Sequence, residues 1–172
     1  MATRQILVAP HPTLRKKAAV ITKIDESIIK LARDMIDTLD NAGGVGLAAP
    51  QVGVSKRLII IWLPKEEPIV LINPKVIKHM GERICTEGCL SFPGMEAKIK
   101  RSREVIVRAT DLEGNVFKID ATGLKSEALE HEIDHLDGIL YVDKIEPGTL
   151  EKVTEKESLE DVIDDVYNQS HA

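Results

Sequence analysis

Two histidines late in the chain stand four residues apart, in the sequence His131-Glu132-Ile133-Asp134-His135. On a helix, residues at this spacing lie on one face a turn apart, so both imidazoles can bind the same metal ion. Glu132 follows the first histidine, where a carboxylate suits a general base acting on metal-bound water. The pattern therefore indicates a hydrolytic metal site. The alternative is an amphipathic helix that carries two exposed histidines.

The residues around this motif favour a helix that stops near Gly138. One helical stripe contains both histidines and two apolar residues, namely Leu124, Ala128, His131 and His135. A neighbouring stripe is apolar and consists of Leu129, Ile133, Leu136 and Leu140. The local sequence thus predicts the element that must hold both imidazoles.

A catalytic metal site needs about three protein ligands and leaves one position open. Downstream of the histidines, Asp137 is too close and the acids of the tail show no ligand spacing. Upstream, Glu87-Gly88-Cys89-Leu90-Ser91 offers a cysteine, and a thiolate is a strong ligand for iron or zinc. Cys89, His131 and His135 would supply one sulfur and two nitrogens. Ligand type alone favours zinc for such a set.

Composition places these residues in one globular domain. The chain has 172 residues, with 43% hydrophobic and 30% charged residues, which is typical of soluble proteins. No signal peptide is evident, and the longest apolar run, 58–63, is too short to span a bilayer. The two cysteines, Cys85 and Cys89, cannot form a disulfide scaffold and fit a metal-bound thiolate in a reducing cytoplasm.

The net charge of −5 is concentrated in the tail. Residues 147–172 contain seven acids and two lysines, and the rest of the chain has 21 acids and 21 bases. Neither part resembles a nucleic-acid-binding surface. Hydrophobic residues recur at helical spacing from Leu159 to Val166. We therefore predict a catalytic domain over 1–147 and an acidic, helical tail over 148–172.

The rest of the pattern predicts an α+β fold, with antiparallel strands packed around a central metal-binding helix and helices near both termini. An N-terminal helix is predicted over about 25–40, with Asp25 as N-cap and glycines 43 and 44 at its end. Strands are predicted over 57–63, 69–72, 96–100, 104–109 and 116–119. The second of these strands is expected to stop at Asn73-Pro74, and residues 113–115 are expected to form a hairpin turn.

The stretch Gly44-Val45-Gly46-Leu47-Ala48-Ala49-Pro50-Gln51 is rich in small residues, which allow close approach to the backbone. No Lys-Ser or Lys-Thr follows the glycines, so a phosphate-binding loop is disfavoured. A tight turn between helix and strand is one interpretation. The functional interpretation is a wall of the active site to which Gln51 contributes an amide donor.

Together, three stretches resemble the signature motifs of peptide deformylases, in order and in spacing: 44–51, 87–91 and 131–138. Smaller features agree as well, at 12–15, at 71–74 and at Gly94. The resemblance covers the chain from about Ile6 to Pro147. It implies removal of the formyl group from the starting methionine of new bacterial or organellar polypeptides. The expected partner is therefore the N-formylmethionyl peptide of a nascent chain, and the enzyme is expected to be a cytoplasmic monomer.

The same resemblance implies a role for each site residue. Cys89, His131 and His135 would hold one divalent ion, generally ferrous iron, with zinc, nickel or cobalt possible in the isolated protein. Glu132 would be the general base and acid. Gln51 and the backbone N–H of Leu90 would stabilise the oxyanion.

Substrate contacts follow in the same way. Backbone groups at Gly44 and Gly46 would pair with the peptide as an added strand. The methionine side chain needs an apolar pocket beside the metal, for which Leu124 and Ala128 are candidates together with Leu90. Neither nucleic acid nor membrane is an expected partner.

Three positions depart from the family pattern. Glutamine is common where this chain has Glu130, and basic residues are common at Glu127 and near Glu96. These changes predict a more acidic approach to the site, with every inferred ligand and the base intact. An acidic tail also argues against docking on ribosomal RNA.

Three other functions are compatible with parts of the pattern. A metallopeptidase that cleaves internal bonds would not need Cys89. A non-catalytic binding protein on the same fold would be expected to lose the base or a ligand. A deacylase that removes another N-acyl group would keep the whole site and differ only in its substrate.

Overall fold

The structure is a computed structural model that describes residues 2–153. The predicted tail helix therefore lies outside the described residues. Within the described part, two α-helices and eight strands form an α+β fold: α1 (Glu26–Ala42), α2 (Gly123–Leu136), β1 (Gly46–Ala48), β2 (Leu58–Ile61), β3 (Ile69–Met80), β4 (Arg83–Cys89), β5 (Phe92–Arg101), β6 (Glu104–Thr110), β7 (Val116–Thr122) and β8 (Glu151–Lys152). Neither described helix is long and apolar enough to cross a membrane.

The strands form two antiparallel sheets. The larger sheet has five strands in the order β1-β2-β3-β6-β7, and the smaller has three in the order β4-β5-β8. In the smaller sheet, β8 pairs with β5 through Met95 and Glu96. The described chain thus continues past Pro147 as part of a sheet.

Helix α1 begins at the predicted N-cap, Asp25, and ends at the predicted glycine, Gly43. The Asp25 carboxylate accepts hydrogen bonds from the backbone N–H groups of Ser27 and Ile28, at 3.0 and 3.2 Å. Gly43, at φ 76°, ends the helix in the left-handed conformation that glycine adopts without strain. The helix extends two residues beyond the predicted end at residue 40.

The five-stranded sheet is covered by a helix on each face, which explains why β2 reads as a continuous apolar run. Ile59 and Ile61 face one core cluster together with Leu129 and Leu136 of α2. Leu58 and Ile60 alternate to the opposite face, where they join a second cluster that includes these α1 side chains: Ile28, Leu31, Ala32, Met35 and Leu39. Both faces of β2 are therefore closed to water.

The predicted stop at Asn73-Pro74 is wrong, because β3 continues through it to Met80. Asn73 has φ 50°, and the register with β6 shifts between Ile72 and Lys75. The Asn73 side chain also bonds both backbone groups of Ile21, at 2.9 Å each. The irregularity is therefore a bulge, and a bulge accommodates a proline that lacks a ladder donor.

Two strands that position the site were not predicted. β1 lies in the small-residue stretch and pairs with β2 as Gly46 with Ile61 and Ala48 with Ile59. β4 lies in a polar stretch, and its side chains alternate between buried residues (Cys85, Glu87) and exposed ones (Ile84, Thr86). One buried position of β4 is the charged Glu87, and the apolar Ile84 is exposed, so the usual apolar alternation is missing.

Candidate metal centre

Three donor atoms converge where β4 meets α2. Nε2 of His135 lies 3.2 Å from Nε2 of His131 and 3.4 Å from Sγ of Cys89. All three donors lie within 4.8 Å of one another. The structure thus brings together the three residues that the sequence suggested as ligands.

The donor spacing fits a bound metal ion. Metal–sulfur and metal–nitrogen bonds of about 2.3 and 2.1 Å in a tetrahedral set separate the donors by roughly 3.3–3.6 Å. Two imidazole nitrogens at 3.2 Å repel each other unless a proton or a cation lies between them. Burial, followed by the nearby His131, lowers the pKa of His135 well below its ordinary value, which keeps its lone pair available.

A buried carboxylate orients the first histidine. Glu87 on β4 contacts Nδ1 of His131, so the other ring nitrogen faces the remaining ligands. Arg101 of β5 bonds both oxygens of Glu87, at 3.0 and 2.6 Å. Burial alone would raise the pKa of Glu87, but the hydrogen bonds from His131 and Arg101 bring it to about 2.

The same arginine continues the network to the surface. Arg101, whose side chain is 1% exposed, also bonds Asp134 of α2 at 2.8 Å. Lys144 approaches the same oxygen of Asp134 at 2.9 Å. Two elements of the smaller sheet are therefore connected to α2 through charged groups.

Glu132 lines the same cleft as His131 and Cys89. Its Oε1 is buried and has no hydrogen-bond partner among the described residues. Burial raises the pKa of this carboxyl to about 7, within the range that serves proton transfer near neutral pH. Gly46 lies against it, since a Cβ added there would be 2.6 Å from Oε2 of Glu132. Only glycine leaves room for the carboxylate in this position.

The amide of Gln51 has a fixed orientation. Its oxygen accepts the backbone N–H of Ala48 at 2.9 Å, so the amide nitrogen faces the other way. That nitrogen donates to Oγ of Ser91 at 3.1 Å and lies 3.7 Å from Sγ of Cys89. An amide donor is therefore held close to the Cys89 side chain, in the wall of the cleft.

A cleft of about 620 Å³ opens onto the cluster. Nine of the residues singled out from the sequence line it: Gly44, Gly46, Gln51, Cys89, Leu90, Leu124, Ala128, His131 and Glu132. His135 is 1% exposed and does not line the cleft. Leu124 is 41% exposed, so it lies at the rim.

The expectation of a more acidic approach holds only in part. Glu130 does not line the cleft, and its carboxylate accepts the backbone N–H of Ser102 at 2.7 Å. Glu127 does line the cleft but pairs with Arg83 at 3.2 Å. The acids of α2 therefore mainly bond to the neighbouring sheet.

Sequence reasoning gave no role to four polar residues of this centre: Glu87, Arg101, Asp134 and Ser91. Glu87 offered one signal, because it precedes Cys89 by two residues and shares its face of a strand. Arg101 offered none, since its partners lie 14 and 33 residues away in the chain.

Comparisons with known proteins agree on one family. The family model described as polypeptide deformylase matches residues 3–151. The chain is 50% identical over 151 residues to a peptide deformylase of Thermodesulfovibrio yellowstonii, an alignment that covers 86% of this chain and 92% of the relative. It is 47% identical over 153 residues to that of Dictyoglomus thermophilum, covering 89% and 99%.

Solved structures of peptide deformylases also superpose on this chain. A Legionella pneumophila peptide deformylase superposes with a TM-score of 0.82 at 40% identity, covering 99% of this chain and 98% of that one. A Synechococcus elongatus peptide deformylase in complex with actinonin also gives 0.82, at 38% identity, covering 86% and 81%.

Proposed function

The chain belongs to the polypeptide deformylase family, and from this premise we propose which of its residues perform the reaction. It is a metal-dependent hydrolase that removes the N-formyl group from nascent polypeptides. The observation that carries our assignment is the convergence of Cys89, His131 and His135 within 4.8 Å. Beside them lies the Glu132 carboxylate, whose Oε1 has no hydrogen-bond partner in the described part of the chain.

We assign Cys89, His131 and His135 as the ligands of one divalent ion, with ferrous iron as the native metal. When bound, the ion supplies Lewis-acid activation of water and of the formyl carbonyl. Glu87 holds His131 in the tautomer whose Nε2 lone pair faces the ion. In this arrangement α2 is the central metal-binding helix around which the antiparallel strands pack.

Glu132 is assigned both proton-transfer steps. As a carboxylate it accepts a proton from the attacking water, and it then returns that proton to the leaving amine. Gln51 donates its amide N–H to the oxygen that becomes negative, and the backbone N–H of Leu90 does the same. The bond between Gln51 and Ala48 fixes the direction of the amide before substrate arrives.

We assign substrate binding to the edge of the larger sheet. β1 is the outer strand on that side, so a peptide can add beside Gly44 and Gly46 through main-chain hydrogen bonds. The methionine side chain then enters the pocket formed by Leu124 and Ala128, next to His131. We expect a cytoplasmic monomer that binds no nucleic acid directly, with residues 148–172 outside the catalytic machinery.

A release assay tests this assignment. Formyl-methionyl and acetyl-methionyl peptides are compared for wild type and Glu132→Gln, with metal content measured on the same anaerobic samples. We expect the variant to keep its metal and to lose on the order of 10²–10⁴-fold in turnover, because an amide cannot accept the proton. Substantial turnover in metal-loaded Glu132→Gln contradicts the role of Glu132.

The metal assignment has its own test. Activity of the iron enzyme should fall in air, since a ferrous centre and its thiolate are both oxidisable. Nickel or cobalt substitution should give an air-stable enzyme. Full activity in a sample purified in air with zinc bound would refute iron and leave the hydrolase assignment intact.

A further inference from the structure

One wall of the cleft carries an acidic residue, Glu127, beside the pocket proposed for an apolar substrate side chain. Leu124, Glu127 and Ala128 line the cleft from α2, and the first and third form the proposed methionine pocket. The Glu127 side chain is 12% exposed, so its carboxylate is largely removed from water. A carboxylate in this position is unfavourable beside a thioether unless another group neutralises it.

Arg83 of β4 provides the neutralising charge. Its Nη2 lies 3.2 Å from Oε2 of Glu127. Among the described residues, Glu127 lines the cleft and Arg83 does not, so the guanidinium meets the carboxylate from the side away from the substrate. Cys85, 6% exposed, lies two residues further along β4 on the buried face of the strand. The smaller sheet therefore holds this carboxylate from behind.

We propose that Arg83 is a specificity-determining residue, which by pairing with Glu127 makes the cleft wall electrically neutral and so favours an uncharged first side chain over a cationic one. This inference rests on the proposed binding of a formyl peptide in the cleft. Without Arg83, the Glu127 carboxylate would attract an ammonium group and would be left unpaired beside methionine.

A purely structural role for the pair predicts a different result. If Arg83 only fixed β4 against α2, its loss would displace Cys89 and reduce turnover of every substrate by the same factor. The ratio between two substrates that differ only in the first side chain would then stay constant. The ratio therefore separates the two roles.

The experiment compares formyl-methionyl, formyl-norleucyl and formyl-lysyl peptides that are otherwise identical. The variants are Arg83→Gln, Glu127→Gln and the double variant. Lys125→Gln is the control, because Lys125 lies on the same helix and pairs with Glu66 at 3.1 Å outside the cleft. Burial raises the pKa of Glu127 to about 7, and loss of the Arg83 charge raises it further. The assay is therefore run at several pH values from about 8.5 to about 9.5, above the pKa of the carboxyl and below that of the substrate lysine.

For Arg83→Gln we expect the preference for formyl-methionyl over formyl-lysyl peptide, as a ratio of kcat/KM, to fall by about tenfold through KM. The double variant should recover the wild-type preference, because removing the carboxylate removes the need for its partner. Lys125→Gln should leave the ratio unchanged. Arg83→Lys, which keeps the charge, should remain close to wild type.

An unchanged ratio in folded, metal-loaded Arg83→Gln overturns the inference, and so does a double variant that fails to recover. If Arg83→Gln does not fold, Arg83→Met keeps the aliphatic length and is judged by the same ratio. Wild type that turns over no formyl-methionyl peptide contradicts the proposed function itself. Activity with an unchanged ratio contradicts only the role of Arg83.

Discussion

The two sheets of this protein are stabilised by different interactions, and the metal centre lies between them. The five-stranded sheet is enclosed by α1 and α2 with two large apolar clusters on its faces. The three-stranded sheet has a small core of four buried residues, Cys85, Ala97, Ile99 and Tyr141. Charged side chains of this sheet, namely Arg83, Glu87 and Arg101, bond to α2.

The three proposed metal ligands come from both of these differently stabilised regions. The histidines come from α2, whose apolar stripe is buried on the larger sheet, and the thiolate comes from β4 of the smaller sheet. Apolar packing is non-directional, whereas hydrogen bonds between charged groups fix distance and angle. The polar contacts are therefore the ones suited to placing Cys89 at bonding distance from the histidines.

The largest expected effect follows from removing the one ligand that the smaller sheet provides. Cys89→Ser should lose most of its metal and nearly all activity, because a hydroxyl is a poor substitute for a thiolate. Cys85→Ser is the matched control, on the same face of β4 and outside the ligand cluster. Elemental analysis under a chelator decides, and full occupancy in Cys89→Ser would show that this ligand set is wrong.

A substitution in the charged contacts of the smaller sheet should weaken both stability and metal binding, whereas one in the apolar core of the larger sheet should weaken stability alone. Arg101→Met leaves the buried Glu87 without its guanidinium partner and leaves Asp134 paired only with Lys144, which should lower the free energy of unfolding by about 3–5 kcal/mol and weaken metal binding. Leu71→Ala, in the core of the larger sheet, should cost about 2–5 kcal/mol but retain the metal below its melting transition. Urea unfolding measures the loss of stability in each variant, and metal titration measures how tightly each folded variant binds the ion. Equal metal retention would contradict the comparison.

At the edge of the larger sheet, activity should be sensitive to substitution of Gly46, which lies against the Glu132 carboxylate. Gly46→Ala places a Cβ 2.6 Å from Oε2 of Glu132, and displacing the carboxylate should lower kcat by on the order of 10²-fold with metal retained. Gly44→Ala meets the flexible end of Leu90 at 3.1 Å and should give a much smaller loss. If both variants lose kcat equally, contact with Glu132 is not the cause.

The smallest expected effect is a pH dependence of stability that arises from Asp34 on α1, the helix that covers one face of the larger sheet. Hydrogen bonding from Lys30 lowers the pKa of Asp34 on α1 from 3.8 to about 2; burial opposes this shift and Arg4 adds to it. Because the folded pKa is the lower one, this stabilisation is complete above about pH 4 and is lost as the pH falls towards 2. The difference in melting temperature between wild type and Asp34→Asn should therefore shrink over that interval. A constant difference would show that Asp34 does not titrate as described.

The sequence was most informative where the relevant geometry is local. Two histidines four residues apart must share a helix face, and the N-cap Asp25 and the terminal Gly43 define α1 through neighbouring backbone groups alone. The α+β class and the family were predicted correctly for the same reason, since short motifs and periodicity carry both. The local signal failed at Asn73-Pro74, where a contact with Ile21, 52 residues away, stabilises a bulge inside a strand.

Tertiary structure alone decided how the centre is assembled. The bonds of Glu87 to His131 and of Arg101 to Asp134 join residues 44 and 33 positions apart, and no spacing along the chain predicts them. The buried face of β4 carries the charged Glu87 beside the core residue Cys85, because Glu87 meets His131 of α2 and Arg101 of β5. The sequence thus determined which side chains could bind the metal and move the proton. Packing of the two sheets determined the distances between these side chains and the partners that hold each one, such as Glu87 for His131 and Gln51 for Ser91.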